Sequence, residues 1–269
     1  MINNKYRVID AHCHIYPEAI AQRAVAGTDG FYGLNSVYKG TVCDLLENGS
    51  NAGVDRFIVQ SVATSPKQVK SINEFIAGEV KAHPERLTGL GTLHPDSADI
   101  KGDIKHLTEL GLKGVKLHPD IQAFKIDDYR CLKIYELCEQ MNLPILMHTG
   151  DSRYDYSNPN RMLPILEIYT KLTVIGAHLG GWSVWDDAAE KLAHHKNFYV
   201  DTCSCFPFME KQKALQLIRH YGTDRVLFGT DYPMWNFKKE IDTILSLGLD
   251  EDEIMSILNI NAKKLFNLE

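Results

Sequence analysis

Eight short runs rich in apolar and β-branched residues recur along the chain, and longer stretches of helical periodicity separate them. The runs are YRVIDAH (6–12), VDRFIVQSV (54–62), RLTGLGTLH (86–94), GVKLH (114–118), LPILMH (143–148), LTVIGAH (172–178), NFYVDTC (197–203) and DRVLFGTD (224–231). Helical periodicity fills 66–83, 99–110, 129–141, 161–171, 211–221 and 238–247, and a last helix is predicted over 251–266. Gly111 and Gly222 follow two of these stretches, where a left-handed helix cap favours glycine. Regular strand–helix alternation calls for a parallel sheet covered by helices. An open doubly wound sheet meets that pattern too, but eight strands with polar residues at most of their C-terminal ends favour a closed α/β barrel, (β/α)8, the TIM fold.

The length of 269 residues suits one such barrel, predicted as a single domain over 1–269, and no Gly/Ser or Pro-rich linker marks a seam. Hydrophobic residues make up 44% and charged residues 24%, the balance of a water-soluble globular chain able to bury a large core. A formal net charge of −6 argues against nucleic acid as a partner. No apolar run approaches the roughly 18 residues that suggest a membrane span, and the polar start does not read as a signal peptide. Six cysteines without a C-x-x-C pair fit a reducing cytoplasm better than a disulfide framework.

The predicted strand ends carry His12, Gln60, His94, His118, His148, His178, Asp201 and Asp231. In a barrel of this type that rim is where chemistry is built. His12 and His14 stand two apart in IDAHCHIYP, a spacing that lets both imidazoles face the barrel mouth. Such a pair alone is weak evidence, and each lone histidine after an apolar run is more often a satisfied core residue. Four histidines and a carboxylate converging on one rim are different, because leaving them unpaired is costly and a metal satisfies them together.

These motifs resemble a known family. H-x-H on the first strand with His148, His178 and Asp231 on the fifth, sixth and eighth is similar to the amidohydrolase superfamily. VIDAHCH, HTGD, AHLGG, VDTCS and LFGTDYP resemble its amidohydrolase-related branch, which includes aminocarboxymuconate-semialdehyde decarboxylase, resorcylate-type decarboxylases and lactonases. The resemblance runs from Val8 to Phe266. It implies metal ligation by His12, His14, His148 and Asp231, with His178 and Asp231 moving protons. Zinc is the first expectation for the divalent ion, since nitrogen and oxygen ligands with an open position suit it, and manganese or iron follow.

Lys116 in GVKLHP shares a strand face with His118. Members with two metals often carry a carboxylated lysine there, and one metal with an unmodified Lys116 is the reading preferred. Lys116 and Arg153 are candidates to hold an anionic group of the substrate. The long stretch 15–40 reads as a lid, and aromatic residues after several strands suggest a pocket for a flat organic molecule. A homo-oligomer is compatible with rim aromatics left over for subunit contact. The leading expectation is a hydrolase acting on a small organic ester, lactone or amide through metal-activated water. The alternative is a non-oxidative decarboxylase of a small carboxylic acid on the same residues. A silent binding barrel and a related phosphodiesterase or nuclease rank lower, the first because every ligand-type residue is retained and the second because the chain is acidic.

Overall fold

A computed structural model describes residues 5–268. Its strands are β1 (Ile9–His14), β2 (Arg56–Gln60), β3 (Leu87–Gly89), β4 (Gly91–Thr92), β5 (Val115–Leu117), β6 (Ile145–Met147), β7 (Val174–Gly176), β8 (Phe198–Asp201) and β9 (Val226–Leu227). All ladders are parallel, in the orders β1-β2-β3 and β4 through β9. The third expected strand is one chain passage divided at Leu90. Leu90 N–H donates to the Val59 carbonyl at 2.9 Å while Gly91 N–H donates to the Gly114 carbonyl at 2.9 Å, so the passage changes partner without leaving the wall. At the other seam Ala11 N–H donates to Phe228 O (2.8 Å) and His14 N–H to Tyr232 O (2.7 Å). The eight predicted runs therefore close into a (β/α)8 barrel.

Glycines in T-G-L-G-T make the third passage possible. A Cβ on Gly91 would lie 2.2 Å from Leu107 Cδ1, and one on Gly89 would lie 2.7 Å from Ile76 and Leu112 methyls. Helices Val69–Ala82 and Ile100–Glu109 press against the wall there and leave room only for hydrogen.

Strand alternation divides the core in two. Ile145, Met147, Val115 and Leu117 join the large cluster between barrel and helices, whereas Ile9, Ala11, Ile58, Leu90, Leu146 and Ile175 form a small plug inside the barrel. Ala262 and Phe266, from the last helical segment, belong to the same plug. That segment runs from Glu251 with a π turn at Ser256–Ile260. The barrel is thus sealed with hydrocarbon below, and its polar residues collect above.

A helix, Glu18–Tyr32, fills much of the stretch 15–40 expected as a loop after β1, and a second, Val42–Asn51, follows it. The first carries Gly27 and Gly30, and its helical periodicity is weak in the sequence. Thr41 caps the second, accepting from Asp44 N–H at 3.3 Å.

Candidate metal centre

A bulge in β1 builds the H-x-H pair. Asp10 pairs with Phe57 and Cys13 with Val59, so Ala11 and His12 together oppose Ile58. The extra residue shifts the alternation: Ala11 stays in the interior plug, Cys13 turns to the outer core, and His12 and His14 look into the mouth. The spacing of the histidines was legible, but the bulge was not. His178 and Asp231 sit at φ 61° and 57°. Ordinary residues avoid this left-handed region, so the backbone at both rim positions is strained.

Five imidazoles follow one another around the rim: His14, His12, His178, His148 and His118, with ring centroids 5.1, 5.7, 4.8 and 4.0 Å apart in that order. Their protons can be assigned from their partners. Burial pushes the Asp201 carboxyl up, but its interactions with His12, His178 and the Cys203 thiol prevail and hold it well below its usual range. It is therefore an acceptor, and His12 Nδ1–H donates to Asp201 Oδ2 at 2.7 Å. His12 Nε2 is left with its lone pair, met by Lys116 Nζ at 3.0 Å. It lies 3.1 Å from His14 Nε2 and 3.4 Å from Asp231 Oδ1, while His14 Nε2 is 3.5 Å from the same oxygen. Metal–ligand bonds of about 2.0–2.2 Å place neighbouring ligand atoms roughly 3.0–3.5 Å apart, so these three atoms match one face of a coordination polyhedron.

The opposite side repeats the logic. His178 Nδ1–H donates to the Cys203 carbonyl at 3.1 Å, leaving Nε2 bare, and that nitrogen lies 2.9 Å from His148 Nδ1. His148 Nε2 lies 3.3 Å from Asp120 Oδ2 without a hydrogen bond between them, and Asp120 Oδ2 accepts instead from the Ser157 hydroxyl at 2.5 Å. Burial holds His14, His118 and His148 well below their usual pKa, reinforced by Lys116 and neighbouring imidazoles, so they are neutral. Buried lone pairs without a donor each cost about 1–3 kcal/mol. A divalent cation removes that cost, and the donor set fits one.

The donors are nitrogen and oxygen. Cys203 Sγ is 3.1 Å from both His12 Nδ1 and His178 Nδ1, but burial, with Asp201 and Asp231 nearby, pushes its pKa far up and keeps it a thiol. Asp231 behaves oppositely: burial raises it, yet His12, His178 and His14 together with the Ser204 hydrogen bond (2.6 Å) prevail and hold it below the usual range. Lys116 is 1% exposed, and its Nζ lies 3.0 Å from His12 Nε2. Burial lowers its pKa against Asp231, Cys203 and Asp201, which raise it.

A cavity of about 560 Å³ opens above these groups. His12, His14, His148, His178, Asp231 and Lys116 all line it, so six of the seven residues predicted from sequence meet in one place. Arg153 does not line it, and its reading as a substrate anchor is corrected. Its guanidinium grips Asp151 through Nη2 (2.7 Å) and Nε (3.0 Å), donates to the Phe31 carbonyl (2.8 Å), and lies over the Phe31, Tyr32, Tyr154 and Trp182 rings at 5.1–5.6 Å. It pins the end of helix Glu18–Tyr32 over the site. Tyr32, on that end, accepts from His118 Nε2–H at 2.7 Å, since His118 Nδ1 accepts from the Ile121 N–H at 3.3 Å. The orienting partners Asp201, Asp120 and Ser204 went unassigned from sequence. Only Asp201 left a signal, as a charged residue ending an apolar run.

Fold and rim together define a TIM-barrel protein whose histidine–aspartate cluster could hold a metal ion. A sequence model of the amidohydrolase family matches residues 9–268, and the chain belongs to that family. It is 23% identical over 200 residues to the 2-amino-3-carboxymuconate-6-semialdehyde decarboxylase of Dictyostelium discoideum, a match covering 60% of this chain and 55% of that one. The chain thus spans little more than half of that relative's length. It is 21% identical over 251 residues to the gamma-resorcylate decarboxylase of Rhodococcus jostii (strain RHA1), covering 73% of this chain and 75% of the relative. Among solved structures, a dihydroxybenzoic acid decarboxylase from Polaromonas sp. JS666, with bound manganese and 2-nitroresorcinol, superposes with a TM-score of 0.76 at 18% identity over 97% of each chain. Among the described residues, no helix is long and apolar enough to cross a membrane.

Proposed function

We propose that the protein is a metal-dependent, non-oxidative decarboxylase of a small ring-bearing carboxylic acid. The hydrolytic reading preferred from sequence gives way to its alternative, because the curated relatives are decarboxylases. The observation that carries the proposal is a wall of apolar residues, including Ile72 and Phe75, facing a ring of imidazole nitrogens and one carboxylate. His12, His14, His148 and Asp231 would hold the ion, and manganese is the first to test, given the ion in the Polaromonas structure.

When bound, the metal supplies a positive charge that fixes the substrate's oxygen atoms and draws electron density from the ring. The chain's own groups then manage one proton. Asp231 takes up a proton by way of His178 and transfers it to the ring carbon that bears the carboxylate. The carbon–carbon bond breaks, its electron pair returns to the ring, and carbon dioxide leaves. Asp231 ends as the carboxylate, which its three imidazole neighbours and Ser204 favour. His178, whose charge is coupled to that of Asp231, relays the replacement proton from solvent. Lys116 keeps a positive charge beside the leaving carboxylate.

Manganese-loaded protein turned over in heavy water with a panel of hydroxyaromatic acids tests the proposal. Stoichiometric carbon dioxide and one deuterium at the vacated carbon are the expected products. Hydrolysis of lactones or esters with no carbon dioxide from any acid would restore the hydrolase.

A further inference from the structure

The cavity has a second end. Helix Glu18–Tyr32 turns one continuous face to it, through Ile20, Arg23, Ala24, Gly27, Thr28 and Phe31, the i, i+3, i+4, i+7 spacing of a helical stripe. Tyr32 stands at the metal end of this helix, hydrogen-bonded to His118. Arg23 stands nine residues earlier, about 13 Å up the helix axis. Between them the stripe is small: Ala24, Gly27 and Thr28, and a Cβ on Gly27 would meet nothing within 4 Å. Ile72 and Phe75 form part of the facing wall.

Charge in the cavity wall is confined to its two ends. Asp231 and Lys116 belong to the metal cluster, and Arg23 is the other formally charged residue among those lining the space. Arg130, Arg153 and Arg161 are each held by one or more aspartates. Arg23, by contrast, makes no hydrogen bond or ion pair among the described contacts. A planar guanidinium at the mouth of an apolar slot is suited to grip a carboxylate with two parallel hydrogen bonds.

We infer that Arg23 is a specificity-determining residue that binds a second anionic group of the substrate, so that the substrate is a small organic acid with two anionic ends and an apolar body between them. This rests on the decarboxylase reading for the metal end. It also moves the anionic anchor from Arg153, which is committed to the lid, to a residue for which the sequence gives no signal.

The test compares binding of three compounds to the manganese-loaded protein by calorimetry. 2-Nitroresorcinol is the parent, and 3,5-dihydroxy-4-nitrobenzoic acid adds a carboxylate opposite the nitro group. 3-(3,5-Dihydroxy-4-nitrophenyl)propanoic acid carries that carboxylate on two more carbons. At least one acid should bind about threefold to tenfold more tightly than the parent, the range for a partly solvated arginine–carboxylate pair. Arg23→Gln should abolish the preference while leaving affinity for the parent and for manganese unchanged. Equal binding of all three compounds, or an acid preference that survives in Arg23→Gln, overturns the assignment of Arg23 alone. If manganese binds but none of the three compounds does, the decarboxylase reading and the assignment of Arg23 both fall.

Discussion

The floor of the cavity and its outer wall are built on different physical terms. On the floor, three of the functional groups are held from behind by a buried partner: Asp201 fixes His12, the Cys203 carbonyl fixes His178, and Ser204 fixes Asp231. The strand ends that carry them are tied into the parallel ladder of the barrel. The wall is a helix laid across the mouth, fastened near its end by Arg153 and by the Tyr32–His118 hydrogen bond, with Arg23 free at the other end. A floor of this kind sets the chemistry and tolerates little change. A wall of this kind selects what enters and can vary without dismantling the site.

Breaking the floor should therefore cost far more than breaking the wall. His178→Asn should lower kcat by roughly 10²–10⁴ while the protein keeps its metal, as measured by elemental analysis beside turnover. Loss of the metal from this variant would instead make His178 a ligand. Behind the floor, Asp120 is buried, with Oδ1 unpartnered and Oδ2 facing His148 Nε2, and burial pushes its pKa up to about 7. Asp120→Asn should weaken manganese binding by roughly tenfold to a hundredfold with the fold intact, if the carboxylate 3.3 Å from His148 Nε2 supports that ring as a ligand. An unchanged manganese Kd would remove Asp120 from the metal's support.

Loosening the wall should be milder. Arg153→Ala removes the grip on Phe31 and the cation over four aromatic rings. Substrate KM should rise about threefold to tenfold, with metal content and Tm near those of the parent protein. A large fall in metal content would show that wall and floor are not separable.

Glu240 lies outside both regions and serves as a control. It is buried, its Oε2 has no partner, and burial raises its pKa from 4.5 to about 8. The unfolded chain releases this proton near 4.5 and the folded chain near 8. Stability from this group is therefore complete below about pH 4.5 and is lost as pH rises through 8. Denaturant titrations of Glu240→Gln should show a flatter pH dependence over that window, with manganese affinity unchanged.

The floor was legible in sequence and the wall was not, for physical reasons. Barrel strands announce themselves by apolar runs, and a polar residue closing such a run has few places to go but the rim; His12, His148, His178 and Asp231 were found that way. The bulge at Ala11–His12 and the split at Leu90 depend on what lies across the ladder, which no single strand's sequence contains. Helix Glu18–Tyr32 hid behind its glycines, and the alternation of Ile20, Arg23, Gly27 and Phe31 makes sense only once the cavity is known. Arg153 misled because its position after β6 says nothing of the Phe31 carbonyl or the Tyr32 and Trp182 rings that it meets across the site.

The measurement that bears most directly on the metal centre is an anomalous difference map from crystals grown with manganese. The expected result is one peak per chain, within coordination distance of His12 Nε2, His14 Nε2, His148 Nδ1 and Asp231 Oδ1, with Lys116 unmodified. Two peaks bridged by extra density on Lys116 Nζ, with His148 and His178 on the second ion, would contradict it, as would a peak away from this rim.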